Sequence, residues 1–121
     1  MVRLSVSLNH PLQIIYTDTH EGDLPSEVDF LVSSGQKNVI ISSMKKAEQD
    51  DGIILRLFEI DGKKAQTSVI LNNSLLGKIT GVEEVDILER PLRKSTARLS
   101  DKGIEVDVSA YGIVTLKLYF K

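Results

Sequence analysis

The chain has 121 residues, of which 41% are hydrophobic and 26% charged, and its formal net charge is −2. This is the composition of one globular, soluble domain spanning residues 1–121. The 15 basic residues are interspersed with 17 acidic ones, which disfavours nucleic-acid binding because a phosphate backbone requires a basic face. No apolar run approaches the roughly 20 residues that cross a bilayer, so no membrane association is expected. The lack of cysteine excludes disulfides and suits a cytoplasmic location.

The N-terminal segment has the two-residue period of β-strands. Apolar and polar side chains alternate over residues 2–8, which predicts a half-buried strand. Asn-His-Pro at residues 9–11 predicts a turn, because proline fixes its own φ and restricts the residue before it. Leu12, Ile14 and Tyr16 then continue the alternation, so a second strand is expected to follow.

The rest of the chain contains further short alternating or apolar runs separated by turn residues. They predict strands at residues 28–32, 38–44, 53–60, 64–71, 79–89, 96–99, 104–108 and 114–121. Residues 53–60 are apolar on both faces, which is typical of a central strand. Asp61-Gly62 predicts a tight hairpin into the next strand. The spacing favours an all-β fold, a two-sheet antiparallel β-sandwich of supersandwich-like form or a barrel, over any arrangement with helical crossovers.

Groups that could carry chemistry are sparse. His10 and His20 both lie in predicted loops. Four potential zinc ligands lie close together in the sequence, namely Asp18, His20, Glu21 and Asp23. Because acidic residues are also typical of turns, we interpret this run as a solvated turn. Glu59 and Glu89 could form the carboxylate pair of a glycosidase, but each is predicted to end a strand, which favours a structural charge. We expect Arg56, on the central strand, to form an ion pair with one of these glutamates.

One ordered set of motifs resembles a known family. Residues 43–48 read Ser-Met-Lys-Lys-Ala-Glu, and after a glycine residues 53–59 read Ile-Ile-Leu-Arg-Leu-Phe-Glu, followed by Gly62. Residues 85–90 and 111–116 supply an apolar-Leu-Glu segment and a closing strand in the same order. Together they resemble the C-terminal β-domain of glycoside hydrolase family 38, the α-mannosidases.

The resemblance implies a non-catalytic chain. In that family the zinc ligands and the carboxylate nucleophile belong to an N-terminal catalytic domain of the same polypeptide. The chain itself would hold no catalytic, cofactor or metal residue, and would pack on and stabilise the catalytic domain of a retaining enzyme that hydrolyses mannosides. The matching motif residues would then be structural: Lys45, Arg56, Glu59, Gly62, Glu89 and Thr115.

Two other functions remain open. A carbohydrate-binding module would stack aromatic rings on the sugar, yet aromatics make up 5% of the chain and tryptophan is absent. With Phe30, Phe58 and Phe120 expected in the core, the candidates for stacking are Tyr16, Tyr111 and Tyr119. An independent interaction domain would instead use an exposed strand edge or an apolar patch.

Overall fold

The computed structural model describes residues 2–29, 31–33, 36–101 and 103–121. Their strands are β1 (Leu31–Ser33), β2 (Val39–Lys46), β3 (Ile53–Glu59), β4 (Ala65–Leu71), β5 (Ile79–Val85), β6 (Arg98–Ser100), β7 (Gly103–Val108) and β8 (Ile113–Phe120). Two short helices, α1 (Val2–Asn9) and α2 (Asn73–Leu76), complete the described elements. The first sheet has the order β1-β4-β7-β6 and the second β2-β3-β8-β5, with antiparallel pairing throughout. The predicted all-β sandwich is therefore confirmed.

The core lies between the two sheets and is built from alternate residues of their central strands. In β8, Val114, Leu116 and Leu118 are buried, and in β3 Leu55 and Leu57 are completely buried beside them. The first sheet contributes the facing layer from β4 and β7, namely Ala65, Val69, Leu71, Ile104, Val106 and Val108. This period of two on both central strand pairs is what allows two half-apolar sheets to cover each other.

The outer face of the second sheet is also partly covered. Ala47, Ile54 and Val85 form a small second apolar cluster there. On the neighbouring strand, Thr115 and Lys117 are buried although they are polar. The position of β3 between β2 and β8 matches the central strand predicted for residues 53–60.

The predicted strand at residues 2–8 is wrong, because this segment forms helix α1. No strand of the described chain pairs with it, and a helix can satisfy its hydrogen bonds locally whereas a strand cannot. The second expected strand, containing Leu12, Ile14 and Tyr16, has no regular structure and is exposed.

The predicted hairpin at Asp61-Gly62 is also wrong. Strand β3 pairs with β2 and β8, whereas β4 pairs with β1 and β7, so this turn carries the chain from one sheet to the other. Gly62 has a φ of 73°, but Asp61 has no positive φ, as a type I′ turn would require. The Glu59 carboxylate fills the inside of the turn and holds its backbone N–H groups instead.

The predicted strand at residues 79–89 ends early, at Val85. A tight turn follows, in which the backbone N–H of Asp86 donates to the Arg90 carbonyl and the N–H of Glu89 donates to the Asp86 carbonyl. Glu89 has a φ of 63°, which no extended strand permits.

Aromatic residues contribute less to the core than expected. Phe58 and Phe120 are half-buried, and Phe120 packs against the edge of the core. The prediction for Phe30 lies outside the described residues.

Candidate functional site

One highly coordinated polar group is the carboxylate of Glu59, at the end of β3. Its Oε1 accepts hydrogen bonds from Asn38 Nδ2 at 2.7 Å and the backbone N–H of Asp61 at 2.8 Å. Its Oε2 accepts from the backbone N–H groups of Gly62 at 2.7 Å, Lys63 at 3.1 Å and Tyr111 at 2.9 Å. The side chain thus joins three connections at one end of the sandwich, and Glu59 is only 2% exposed.

The donors around Glu59 control its ionisation. Burial by itself raises the pKa of a carboxyl group, because the charged form loses water. The N–H donors of Tyr111, Asp61, Asn38 and Gly62 outweigh that effect and lower the pKa of Glu59 to about 2. Glu59 is therefore a fixed anion at neutral pH.

Gly62 completes this end of the sandwich by leaving room for an aromatic ring. A Cβ atom at Gly62 would lie 2.6 Å from Cζ of Tyr111. Tyr111 itself has a φ of 53°, which turns its backbone N–H toward Glu59. The sequence signals the glycine, but the roles of Asn38 and Tyr111 depend on contacts between residues far apart in the chain.

A second polar cluster joins Lys45 and Glu89 across the outer face of the second sheet. Lys45 Nζ lies 2.8 Å from Glu89 Oε1, and the backbone N–H of Glu48 donates to Glu89 Oε2 at 2.9 Å. The hydrogen bond from Lys45 and that from the Glu48 backbone lower the pKa of Glu89. The pKa of Lys45 is raised, first by its hydrogen bond to the Glu48 carboxylate and then by Glu89. The cluster fastens the turn after β5 to the end of β2.

Lys117 is a buried cation that the sequence does not single out. Its Nζ lies 2.7 Å from Asp50 Oδ2, and Asp50 Oδ1 accepts from the backbone N–H of Gly52. The hydrogen bond between them raises the pKa of Lys117 and lowers that of Asp50. The ammonium also lies 5.7 Å from the centre of the Tyr119 ring, whose hydroxyl donates to Glu83. A lysine in the alternating pattern of a strand does not predict burial. Its partner Asp50 lies far from it in the sequence, in the turn between β2 and β3.

The predicted ion pair of Arg56 is wrong. Arg56 Nε donates to Thr115 Oγ1 at 3.3 Å, and no carboxylate among the described residues pairs with the guanidinium. The expected partners are occupied elsewhere, Glu59 by backbone N–H groups and Glu89 by Lys45. Arg56 and Thr115 instead line a cavity of about 330 Å³, whose rim includes Ile87, Leu92 and Ile113.

The six motif residues therefore form three separate pairs, of which Glu59 with Gly62 is one. The others are Lys45 with Glu89 and Arg56 with Thr115. A model of the glycosyl hydrolases family 38 C-terminal beta sandwich domain matches residues 38–116. The chain belongs to this family. No curated protein matches it.

The family 38 domain, as matched, begins at Asn38 and contains all three pairs. Helix α1 and the exposed segment up to residue 29 precede the matched range. The six motif residues thus lie in the sandwich. Glu59 and Glu89 hold connections between strands, whereas Arg56 and Thr115 join the neighbouring strands β3 and β8.

The other residues considered from sequence are not brought together. His10 and His20 are exposed, and within the described part of the chain no group of three or more His, Cys, Asp or Glu residues could hold a metal ion. Tyr16 and Tyr111 are exposed at distant points of the chain, whereas Tyr119 is half-buried beside Lys117. Neither described helix is long and apolar enough to cross a membrane.

Proposed function

We propose that the chain is the non-catalytic C-terminal domain of an α-mannosidase-like glycoside hydrolase, and that it packs on the catalytic domain and stabilises it. The family match over residues 38–116 carries this proposal. The parent enzyme would hydrolyse α-mannosides with retention of configuration, through a carboxylate nucleophile on the catalytic domain of the same polypeptide. A cytoplasmic location is part of the proposal, since the chain has no cysteine.

The state of the two candidate acids supports a structural role. A general acid in a glycosidase must be reachable by the substrate and hold a proton near neutral pH. Glu59 is buried, holds five N–H donors, and has a pKa of about 2. Glu89 is held by Lys45 and by the Glu48 backbone. Both carboxylates maintain turns, and neither is disposed to give a proton to a leaving group.

Zinc, which the resemblance implies for the parent enzyme, does not fit the described residues of this chain. The acidic run containing Asp18, His20, Glu21 and Asp23 is exposed and does not converge on a common point. In the proposal the metal is therefore held by the catalytic domain, and no step of the reaction involves this chain.

An exposed apolar rim supports packing against another domain. Around the cavity at Arg56, Ile87 is 76% exposed, Ile113 is 69% exposed and Leu92 is 43% exposed. Apolar side chains grouped around a concave surface are typical of an interface. Covering them with the catalytic domain would remove apolar surface from water and stabilise both parts.

The proposal is tested with the chain and the catalytic domain prepared separately. We expect the chain alone to give no turnover of an aryl α-mannoside, and its addition to lengthen the half-life of the catalytic domain at elevated temperature. An Ile87→Asp/Ile113→Asp variant should protect less, with Ile70→Asp, on the opposite sheet, as the control. Turnover by the pure chain, or no effect of the chain on that half-life, would contradict the proposal. Heat released on titrating the chain with manno-oligosaccharides would instead favour a carbohydrate-binding module.

A further inference from the structure

The cavity beside Arg56 lies on the outer face of the second sheet, away from the core. In this sheet, Thr115 on β8 pairs with Arg56 on β3 on one side and with Val85 on β5 on the other. Because side chains alternate along a strand, Arg56 points away from Leu55 and Leu57, which are completely buried between the sheets. The turn that follows β5 forms the opposite wall of the cavity, whose volume is about 330 Å³. A cavity of this size holds a small organic molecule.

Arg56 has spare hydrogen-bonding capacity in this cavity. A guanidinium carries five N–H donors, stays protonated, and has a planar shape that matches a carboxylate. Among the described residues, the side chain of Arg56 makes one hydrogen bond, from Nε to Thr115 Oγ1 at 3.3 Å. No carboxylate of the described chain lies within ion-pair distance of it. The half-buried Arg56 therefore presents charged donors to a molecule that enters the cavity.

The two acids that line the same cavity are held by other groups. Asp86 Oδ2 binds the Arg90 guanidinium at 2.7 Å, and its Oδ1 accepts from the backbone N–H groups of Leu88 and Arg90. Glu84 Oε2 accepts a hydrogen bond from the backbone N–H of Thr96 at 3.0 Å. Arg90 balances the charge of Asp86, whereas no ion pair of the described chain balances that of Glu84. Arg56 attracts an anion and Glu84 repels it, so a ligand with one negative charge is favoured over a ligand with two.

Apolar side chains surround the mouth of the cavity. Ile87, Leu92 and Ile113 line it and are each more than 40% exposed. A ligand with an aliphatic part would cover them, while its charged group meets the guanidinium. We infer that the cavity binds a small organic acid with a single carboxylate and a short aliphatic chain. The carboxylate accepts hydrogen bonds from Arg56, and the aliphatic chain lies between Ile87 and Ile113. The inference goes beyond the proposed function, because this chain forms the cavity by itself.

The test titrates the whole chain with isocaproate, a branched aliphatic monocarboxylate, and follows backbone amide signals by NMR. We expect saturable shifts at residues 84–87 and 113–115 and at Arg56. Isocaproamide has the same shape without the charge, and it should bind at least about tenfold more weakly, because the charge-assisted hydrogen bonds to the guanidinium are lost.

Two variants of the cavity should change the affinity for isocaproate in opposite directions. Arg56→Met removes the guanidinium and should weaken binding at least about tenfold. Glu84→Gln keeps an acceptor for the N–H of Thr96 and removes a repulsive charge, so it should tighten binding by about twofold or more. Arg98→Met makes the same change of net charge on the other sheet, where Arg98 pairs with Glu105. This control should bind within about twofold of wild type.

Three results would overturn the inference: no saturable shifts with isocaproate, equal binding of isocaproamide, or unchanged binding by Arg56→Met. Tighter binding of an acetylated peptide with one glutamate between two leucines would assign the carboxylate to a polypeptide segment, and would also overturn the small acid. The proposed function is measured separately, by the thermal half-life of the catalytic domain, so each can fail without the other.

Discussion

The backbone N–H of Tyr111 lies 2.9 Å from Glu59 Oε2, although the two residues are 52 positions apart in the chain. The same carboxylate holds the turn that follows β3, so the connection between the sheets and the connection before β8 share one anion. In return, the N–H of Glu59 donates to the Gly112 carbonyl. This reciprocal contact closes one end of the sandwich.

Replacing Glu59 by glutamine should destabilise the chain in a pH-dependent way. The pKa of Glu59 is about 2 in the folded chain against an ordinary value of 4.5, so folding favours the ionised form. That contribution is complete above about pH 5 and disappears as the pH falls toward 2. We expect Glu59→Gln to lower the Tm by several degrees at pH 7, with the difference narrowing toward pH 2.

Thermal unfolding followed by circular dichroism between pH 2 and pH 7 measures this difference. Glu27→Gln removes an exposed carboxylate that lies outside the sandwich and serves as the matched control. A constant Tm difference between Glu59→Gln and wild type across that range would exclude a charged Glu59 as its source.

Gly62→Ala should be destabilising for two separable reasons. The φ of 73° costs a residue with a Cβ about 1–2 kcal/mol, and that Cβ would lie 2.6 Å from the Tyr111 ring. Removing the ring with Tyr111→Ala should relieve the second effect but not the first. The cost of Gly62→Ala, from denaturant unfolding, should therefore be smaller in the Tyr111→Ala background. Gly22→Ala, at an exposed position before the sandwich, should have little effect. Equal costs of Gly62→Ala in both backgrounds would argue against the contact.

Thr67→Val should stabilise the chain. Thr67 is 1% exposed on β4, and its Oγ1 has no hydrogen-bond partner among the described residues. A buried hydroxyl without a partner carries a desolvation cost, which valine of nearly the same shape removes. We expect a gain of about 1 kcal/mol in the free energy of unfolding, whereas Thr67→Ser, which keeps the hydroxyl and loses the methyl, should lose stability. A loss with Thr67→Val would reveal a partner for the hydroxyl.

Arg56→Met should leave the stability nearly unchanged. Arg56 is half-buried but makes one side-chain hydrogen bond, to Thr115 at 3.3 Å, and has no carboxylate partner in the described chain. We expect a change of less than about 1 kcal/mol in the free energy of unfolding by denaturant. Lys117→Met is the comparison, because it leaves Asp50 without its buried partner, and it should cost more. A larger loss for Arg56 than for Lys117 would indicate a stabilising contact of Arg56.

Deleting residues 2–24 should not lower the stability of the sandwich. The side chains of residues 4–24 are exposed, and the deletion keeps the contact between Asn72 and Asp29. We expect a Tm within a few degrees of the full chain, while Leu57→Ala, in the core, should cost about 2–5 kcal/mol. A large drop in Tm after the deletion would show that residues 2–24 pack on the sandwich.

The amino-acid sequence by itself determined the fold class and the family. Strand formation at residues 53–59 and 113–120 follows from a period of two and from apolar, β-branched composition, which are local properties. The order of the motifs from Lys45 to Thr115 indicated the family that the match over residues 38–116 shows. The glycine required at position 62 was also visible, as part of a turn signal.

Only the tertiary structure decided which strands pair and which polar groups meet. The turn at Gly62 connects the two sheets, and the Glu59 carboxylate that holds this turn also accepts hydrogen bonds from Asn38 and Tyr111 in two other connections. No local sequence pattern predicts those two long-range contacts. The alternation at residues 2–8 predicted a strand where the chain forms a helix. A helix satisfies its hydrogen bonds within one segment, but a strand exists only where a second edge is present to pair with it.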